Sequence, residues 1–183
     1  MKVFVDYIDP RVFGAAAYSA AQEGQLAAMN MLHSLGADLD LGNTVDGSTP
    51  SIIAAQFGHT EMIQLLADLR ADVHKPSLDG ALPLHASALA DHILTTRLLL
   101  DLRASPNAQD HCGRTVCWDA ASFGRHRIIR LLVDARAAVD LPSEKNETPL
   151  FMSAYGGQTN AAIALAAARA SLDTPQSDGF API

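Results

Sequence analysis

Cysteine is scarce in this chain. Its 183 residues hold two, Cys112 and Cys117, five positions apart. They are too few and too local for the disulfide framework of a small secreted domain, and they point to a reducing compartment. Basic residues are also short: 13 Lys and Arg face 20 Asp and Glu, giving a net charge of −7 and a pI near 5.3. A groove for nucleic acid needs a surplus of positive charge on one face, so that class is disfavoured, as is docking on an anionic membrane. No stretch offers the roughly 18 consecutive apolar residues of a membrane span. The segment from Met1 to Asp9 is broken by acids before a signal-peptide core can accumulate. The glycine-elbow serine, phosphate loop and paired-carboxylate motif are missing too. These absences lead to the expectation of an intracellular protein, cytoplasmic or nuclear, that binds no cofactor and catalyses nothing.

What the chain does have is a repeat. Gly47, Gly80, Gly113, Asn146 and Gly179 recur every 33 residues, and Asn is a common substitute for Gly where φ is positive. Pro50, Pro83, Pro149 and Pro182 keep the same register, with Val116 as the exception. So do Ala55, Ala88, Ala121 and Ala154; Leu66, Leu99, Leu132 and Leu165; Arg70, Arg103, Arg136 and Arg169; and Ala71, Ala104, Ala137 and Ala170. An earlier copy runs through Ala20-Ala21, Gly24, Leu32 and Gly36-Ala37-Asp38. It is offset by 34 because one extra residue lies between Leu41 and Val45, in a loop that tolerates it.

Within one copy, Asp46-Gly47-Ser48-Thr49-Pro50 reads as a turn and then a helix start, with Thr49 as N-cap and Pro50 in the first helical position. The first helix is expected to end near Phe57. Gly58-His59 interrupts, and Glu61 to Ala67 supplies a second helix with an apolar face. A single pair cannot bury its own core, so copies must stack into a quasi-one-dimensional solenoid.

The sequence resembles the ankyrin repeat, whose 33-residue pattern runs through Thr-Pro-Leu-His, a pair of alanines, Gly-His and paired leucines. Asp79-Gly80-Ala81-Leu82-Pro83-Leu84-His85-Ala86-Ser87-Ala88 carries it best, with Thr49-Pro50 through Ala54-Ala55 and Gly58-His59. The resemblance implies an all-α solenoid of helix-turn-helix units with short β-hairpin fingers. Residues 1–13 form an extension, followed by repeats near 14–45, 46–78, 79–111, 112–144 and 145–177 and a partial copy over 178–183. Because Ile183 stops inside the next finger, the natural chain is expected to continue there, or that end to fray. Two departures stand out. The family's His survives only as His85, its place taken by Ile52, Trp118 and Phe151, and the glycine closing the second helix survives as Gly36 but becomes Arg elsewhere.

His111, Cys112, Cys117 and His126 match no common zinc spacing, and Cys117 falls in the buried column of Leu84 and Leu150. A core cysteine and a loop cysteine are expected, with no metal. His59, His92 and His126 follow the repeat and are assigned to turn structure. Asp68, Asp101 and Asp134 precede the arginine column by two residues, so ladders of salt bridges between copies are expected. The resemblance also implies a partner-binding surface: Gln56, Phe57, Leu89, Phe123 and Tyr155 at the exposed end of the first helices, and Asp46, Ser48, Asp79, His111, Arg114, Lys145 and Glu147 at the fingers. The function expected is that of a monomeric, non-catalytic scaffold that lays a protein partner across this groove. The alternative is a targeting or regulatory module of a larger protein, possibly an enzyme.

Overall fold

The computed structural model describes residues 10–171, and among them lie ten α-helices arranged as five antiparallel pairs. The first helices of successive pairs are α1 (Pro10–Gln22), α3 (Pro50–Gln56), α5 (Pro83–Leu89), α7 (Val116–Ser122) and α9 (Pro149–Tyr155). The second helices are α2 (Leu26–Ser34), α4 (Thr60–Asp68), α6 (Ile93–Asp101), α8 (His126–Asp134) and α10 (Thr159–Ala167). Helix α1 runs across the boundary placed at 13/14. First helices pack on first helices and second on second, giving two layers that share one hydrophobic core from Ala17 to Ala170. The expectation for 178–183 lies outside the described residues.

Each 33-residue unit is shaped by three places where the backbone turns left-handed, and the repeat columns mark them. In the finger, φ is +71° at Gly47, +81° at Gly80, +72° at Gly113 and +61° at Asn146. After the first helix the positions are Gly58, Asp91, Gly124 and Gly157, and after the second Gly36, Arg70, Arg103, Arg136 and Arg169. The last set explains why leucine, arginine and alanine columns travel together. Ala71 donates its N–H to the carbonyl of Leu66 at 2.9 Å while left-handed Arg70 donates to Ala67 at 3.0 Å. This is the hydrogen-bond pattern of a Schellman C-cap, repeated at Leu99–Ala104, Leu132–Ala137 and Leu165–Ala170. An arginine in that conformation costs on the order of 1 kcal/mol relative to glycine.

Helix starts follow the same economy of means. Thr49, the N-cap expected from the sequence, and with it Thr115 and Thr148, accept the N–H groups of Ile52, Trp118 and Phe151 at 3.3, 3.1 and 3.2 Å. Leu82 stands where the third repeat should have its threonine, and that repeat alone retains the histidine. His85 Nδ1 accepts the Leu82 N–H at 3.3 Å, and its Nε2 lies 3.3 Å from the Arg114 carbonyl. In this repeat the retained histidine therefore supplies a side-chain bond at the helix start where the threonine cap is missing.

The fingers are tight turns rather than paired strands, and the described residues show one isolated antiparallel bridge, Gln109 with Thr115. Adjacent fingers are tied tip to tip: Leu78 N–H to Asp46 O at 2.8 Å, His111 to Asp79 at 2.9 Å, Glu144 to Cys112 at 2.9 Å. A Cβ on Gly113 would stand 2.8 Å from the Glu144 nitrogen, so this glycine answers to close approach as well as to positive φ.

Two expectations about charged columns fail. The Asp68–Arg70 type of ladder does not form; the one ion pair within 4 Å among the described residues is Arg114–Asp110. Each arginine stands on left-handed backbone past the helix end, and Asp68 instead accepts from Gln64 at 2.9 Å. His126 is not in the register of His59 and His92; that column continues as Arg125. His59 Nε2 lies 2.8 Å from the Gln22 carbonyl, His92 Nε2 3.0 Å from that of Gln56, and Arg125 Nε donates to Leu89 at 3.0 Å. Each thereby satisfies a carbonyl left open at the end of the preceding repeat's first helix.

Candidate functional site

Where the first helices meet the fingers, residues of the second, third and fourth repeats line an open cavity of about 400 Å³. It gathers Gln56, Asp79, Leu89, Arg114 and Phe123 from the residues singled out in the sequence, and adds His85, Asp110 and Asp119. Leu89 and Phe123 remain 39% and 53% exposed although both are large and apolar. They sit at the C-terminal ends of α5 and α7, where the left-handed Asp91 and Gly124 turn the chain away and leave no helix above them.

The charged groups divide into two kinds. Asp110 is buried and fully engaged. Its Oδ1 accepts the N–H groups of Cys112 and Arg114, each at 2.9 Å, and Oδ2 receives Arg114 Nε at 2.7 Å and Nη2 at 2.6 Å. Burial alone would raise its pKa, but these hydrogen bonds outweigh it and hold the carboxyl below its ordinary range. Asp79 is lowered as well, chiefly because Ser77 Oγ donates to it, with help from the Ala81 N–H. Arg114 is fixed from two directions, since its guanidinium also lies 5.6 Å from the centre of the Trp118 ring.

Asp119 is different. The residue is only 9% exposed, and no hydrogen bond from a described residue acts on its carboxyl. Burial pushes its carboxyl up to about 7, with Arg114 pulling down and Asp110 and Asp79 pushing further up. His85, deep in the same wall, is shifted down by burial and stays a neutral imidazole. The sequence reading passed over Asp119, although there was a signal. Its column reads Ile53, Ala86, Asp119, Met152, one acid among apolar or small residues.

The remaining candidates lie apart from this cavity. Lys145 and Glu147 border a second hollow of about 190 Å³, next along the array, with Trp118 and Cys112; Arg114 lines both. His111 is exposed at its fingertip and faces the outer edge with Pro142 and Ser143. Phe57 stacks on His59 with ring centres 6.3 Å apart, and Tyr155 stacks on Phe151 at 6.1 Å, so neither aromatic joins Phe123. Asp46 is exposed in the first finger, but Ser48 is buried there. Its N–H is held by Asp46 Oδ1 at 2.9 Å and its carbonyl by Asn43 N–H at 3.0 Å.

The two thiols stand as the sequence suggested, Cys117 buried and Cys112 exposed. Burial pushes the Cys117 thiol up to about 12. Among the described residues no three of His, Cys, Asp and Glu are grouped to hold a metal ion, and no helix is long and apolar enough to cross a membrane.

Comparison with curated proteins finds no match. The family model for ankyrin repeats, in the form that spans three copies, matches residues 17–110 and again residues 96–176. With these two overlapping matches, the stacked helix pairs and the capped 33-residue register, the chain belongs to the ankyrin-repeat family.

Proposed function

We propose that this protein binds another protein, without catalysis, along the face where the first helices meet the fingers, with the cavity around Leu89 and Phe123 at its centre. Ankyrin repeats are generally protein–protein interaction modules. The observation that carries the location is the pair of exposed apolar side chains, Leu89 and Phe123, flanking fixed polar groups in one hollow. Apolar surface held open beside ordered charges is the composition of a contact site. An extended partner segment would fill it, with Phe123 as the main anchor and Gln56, Asp79 and Arg114 as polar contacts. Phe57 and Tyr155, each engaged in its own stack, contribute at the margins.

A site-specific photo-crosslinker tests this directly. Placed at Leu89, it should capture a partner from cell extract; placed at Leu94, an exposed leucine of α6 on the other layer, it should not. Leu89→Ala with Phe123→Ala should weaken the captured complex by more than about 2 kcal/mol and leave the melting temperature within a few degrees. Equal capture from Leu94, or affinity indifferent to both alanines, would remove the reading.

A further inference from the structure

The cavity holds three carboxylates, and only one of them lacks a partner. Asp79 is occupied by Ser77 and the Ala81 N–H, and Asp110 by Arg114 and two backbone N–H groups. Arg114 is the sole Lys or Arg in the wall, and its Nε and Nη2 are bonded to Asp110. His85 is committed to Leu82 and Arg114 main-chain atoms. Asp119 alone is both nine-tenths buried and without a hydrogen-bond donor while lining an open hollow. Its oxygens are not among the fully buried, unpaired side-chain atoms of the described residues, which are Ser51 Oγ and Trp118 Nε1, so a group entering the hollow can reach them.

We propose that this hollow is a subsite for a basic side chain, a lysine or arginine of the bound protein segment, whose cationic head pairs with Asp119 while its methylene stem lies against Leu89 and Phe123. The inference rests on the binding face assigned above. Three observations fix the chemistry of the occupant. The wall is net negative, three acids against one arginine, so it attracts a cation and repels an acid. Largely buried Asp119 lines the same hollow as the exposed apolar Leu89 and Phe123, which suits a long side chain with a terminal cation. The whole chain carries −7, so a basic segment is favoured over its length as well.

The experiment is selection of a random peptide library on the full chain, followed by affinity measurements of the selected peptides. The expected result is a recurrent Lys or Arg. Exchange of that residue for norleucine should cost at least about tenfold in affinity. Asp119→Asn should cost a similar factor, and the two changes combined little more than either alone. As a readout independent of any variant, carboxyl-carbon NMR on the unaltered chain should show the Asp119 titration midpoint fall when the peptide binds. Selected peptides whose basic residue is indifferent to Asp119→Asn overturn the subsite. So do peptides weakened by Leu89→Ala and Phe123→Ala that share no basic residue, and that result leaves the binding face standing. If no selected peptide responds to those two alanines, the binding face itself is wrong and the subsite falls with it.

Discussion

Asp119 carries most of what single side chains can say about this protein. In an unfolded chain its carboxyl would titrate near 3.8, and in the fold it does so at about 7. Between those values the native state keeps a proton that the unfolded state has lost, so stability declines as pH rises from about 4 to about 7 and is flat beyond. The full shift corresponds to a ceiling of about 4 kcal/mol. Asp119→Asn has no charge to acquire, so its advantage over the natural residue should be small at pH 4 and largest at pH 8, measured by urea unfolding. A variant that is less stable at pH 8 would show that the ionised carboxylate has found a partner within the fold. His85 works against Asp119 in the same range. Its neutral form is the one that accepts the Leu82 N–H, so its contribution is lost as pH falls below the unfolded value of 6.5.

Among the elements, the informative contrast is between residues that hold the same left-handed backbone with different charge. Arg103, φ +73°, follows α6 and places a cation at a helix C-terminus. There the favourable term, typically 0.3 to 1 kcal/mol, offsets much of the backbone cost. Asp91, φ +63°, follows α5 and brings an anion to the same kind of end, so both terms oppose it. Asp91→Gly should therefore stabilise by about 1 kcal/mol, whereas Arg103→Gly should change stability by less than about half of that, both read from urea midpoints. Equal gains from both would mean that the charge at the helix end is immaterial. Elements were also where the sequence was most legible, because each column encodes one backbone event: Gly47 a finger turn, Thr49 a cap, Leu66 with Arg70 and Ala71 a helix stop. What the columns did not encode was pairing between side chains. Asp68 and Arg70 share a register without touching, Ser48 turns inward through its main-chain bonds, and His126 lies one position off the column that Arg125 continues. Asp119 escaped because a repeat is read by agreement and its carboxylate is a disagreement.

For the whole molecule, the stack is continuous but unevenly supported. Ala55, Ala88 and Ala121 are fully buried between neighbouring first helices, while Ala154 in the same column is exposed and Tyr155 beside it is 80% exposed. Among the described residues α9 is covered by α7 on one side only, and α10 buries little beyond Ala161, Ala164 and Leu165. Amide hydrogen exchange should therefore be graded along the array, with α10 opening at least on the order of tenfold more often than α4 or α8. Uniform protection from α3 to α10 would contradict this and indicate a single cooperative block.

The tip-to-tip bonds between fingers have a direction. In each of them the later finger donates its main-chain N–H and the earlier accepts, and the same sense holds where Asp72 N–H meets Asp40 Oδ1 and where Ala138 N–H meets Asn107 Oδ1. A cut between two fingers thus leaves the main-chain donors of these bonds on one fragment and their acceptors on the other, although the side chains of His74, His85 and Gln109 reach the opposite way, to the carbonyls of Leu102, Arg114 and Pro142. The two unlike fragments are matched for reassembly, whereas two copies of the same fragment, brought face to face, would oppose like with like.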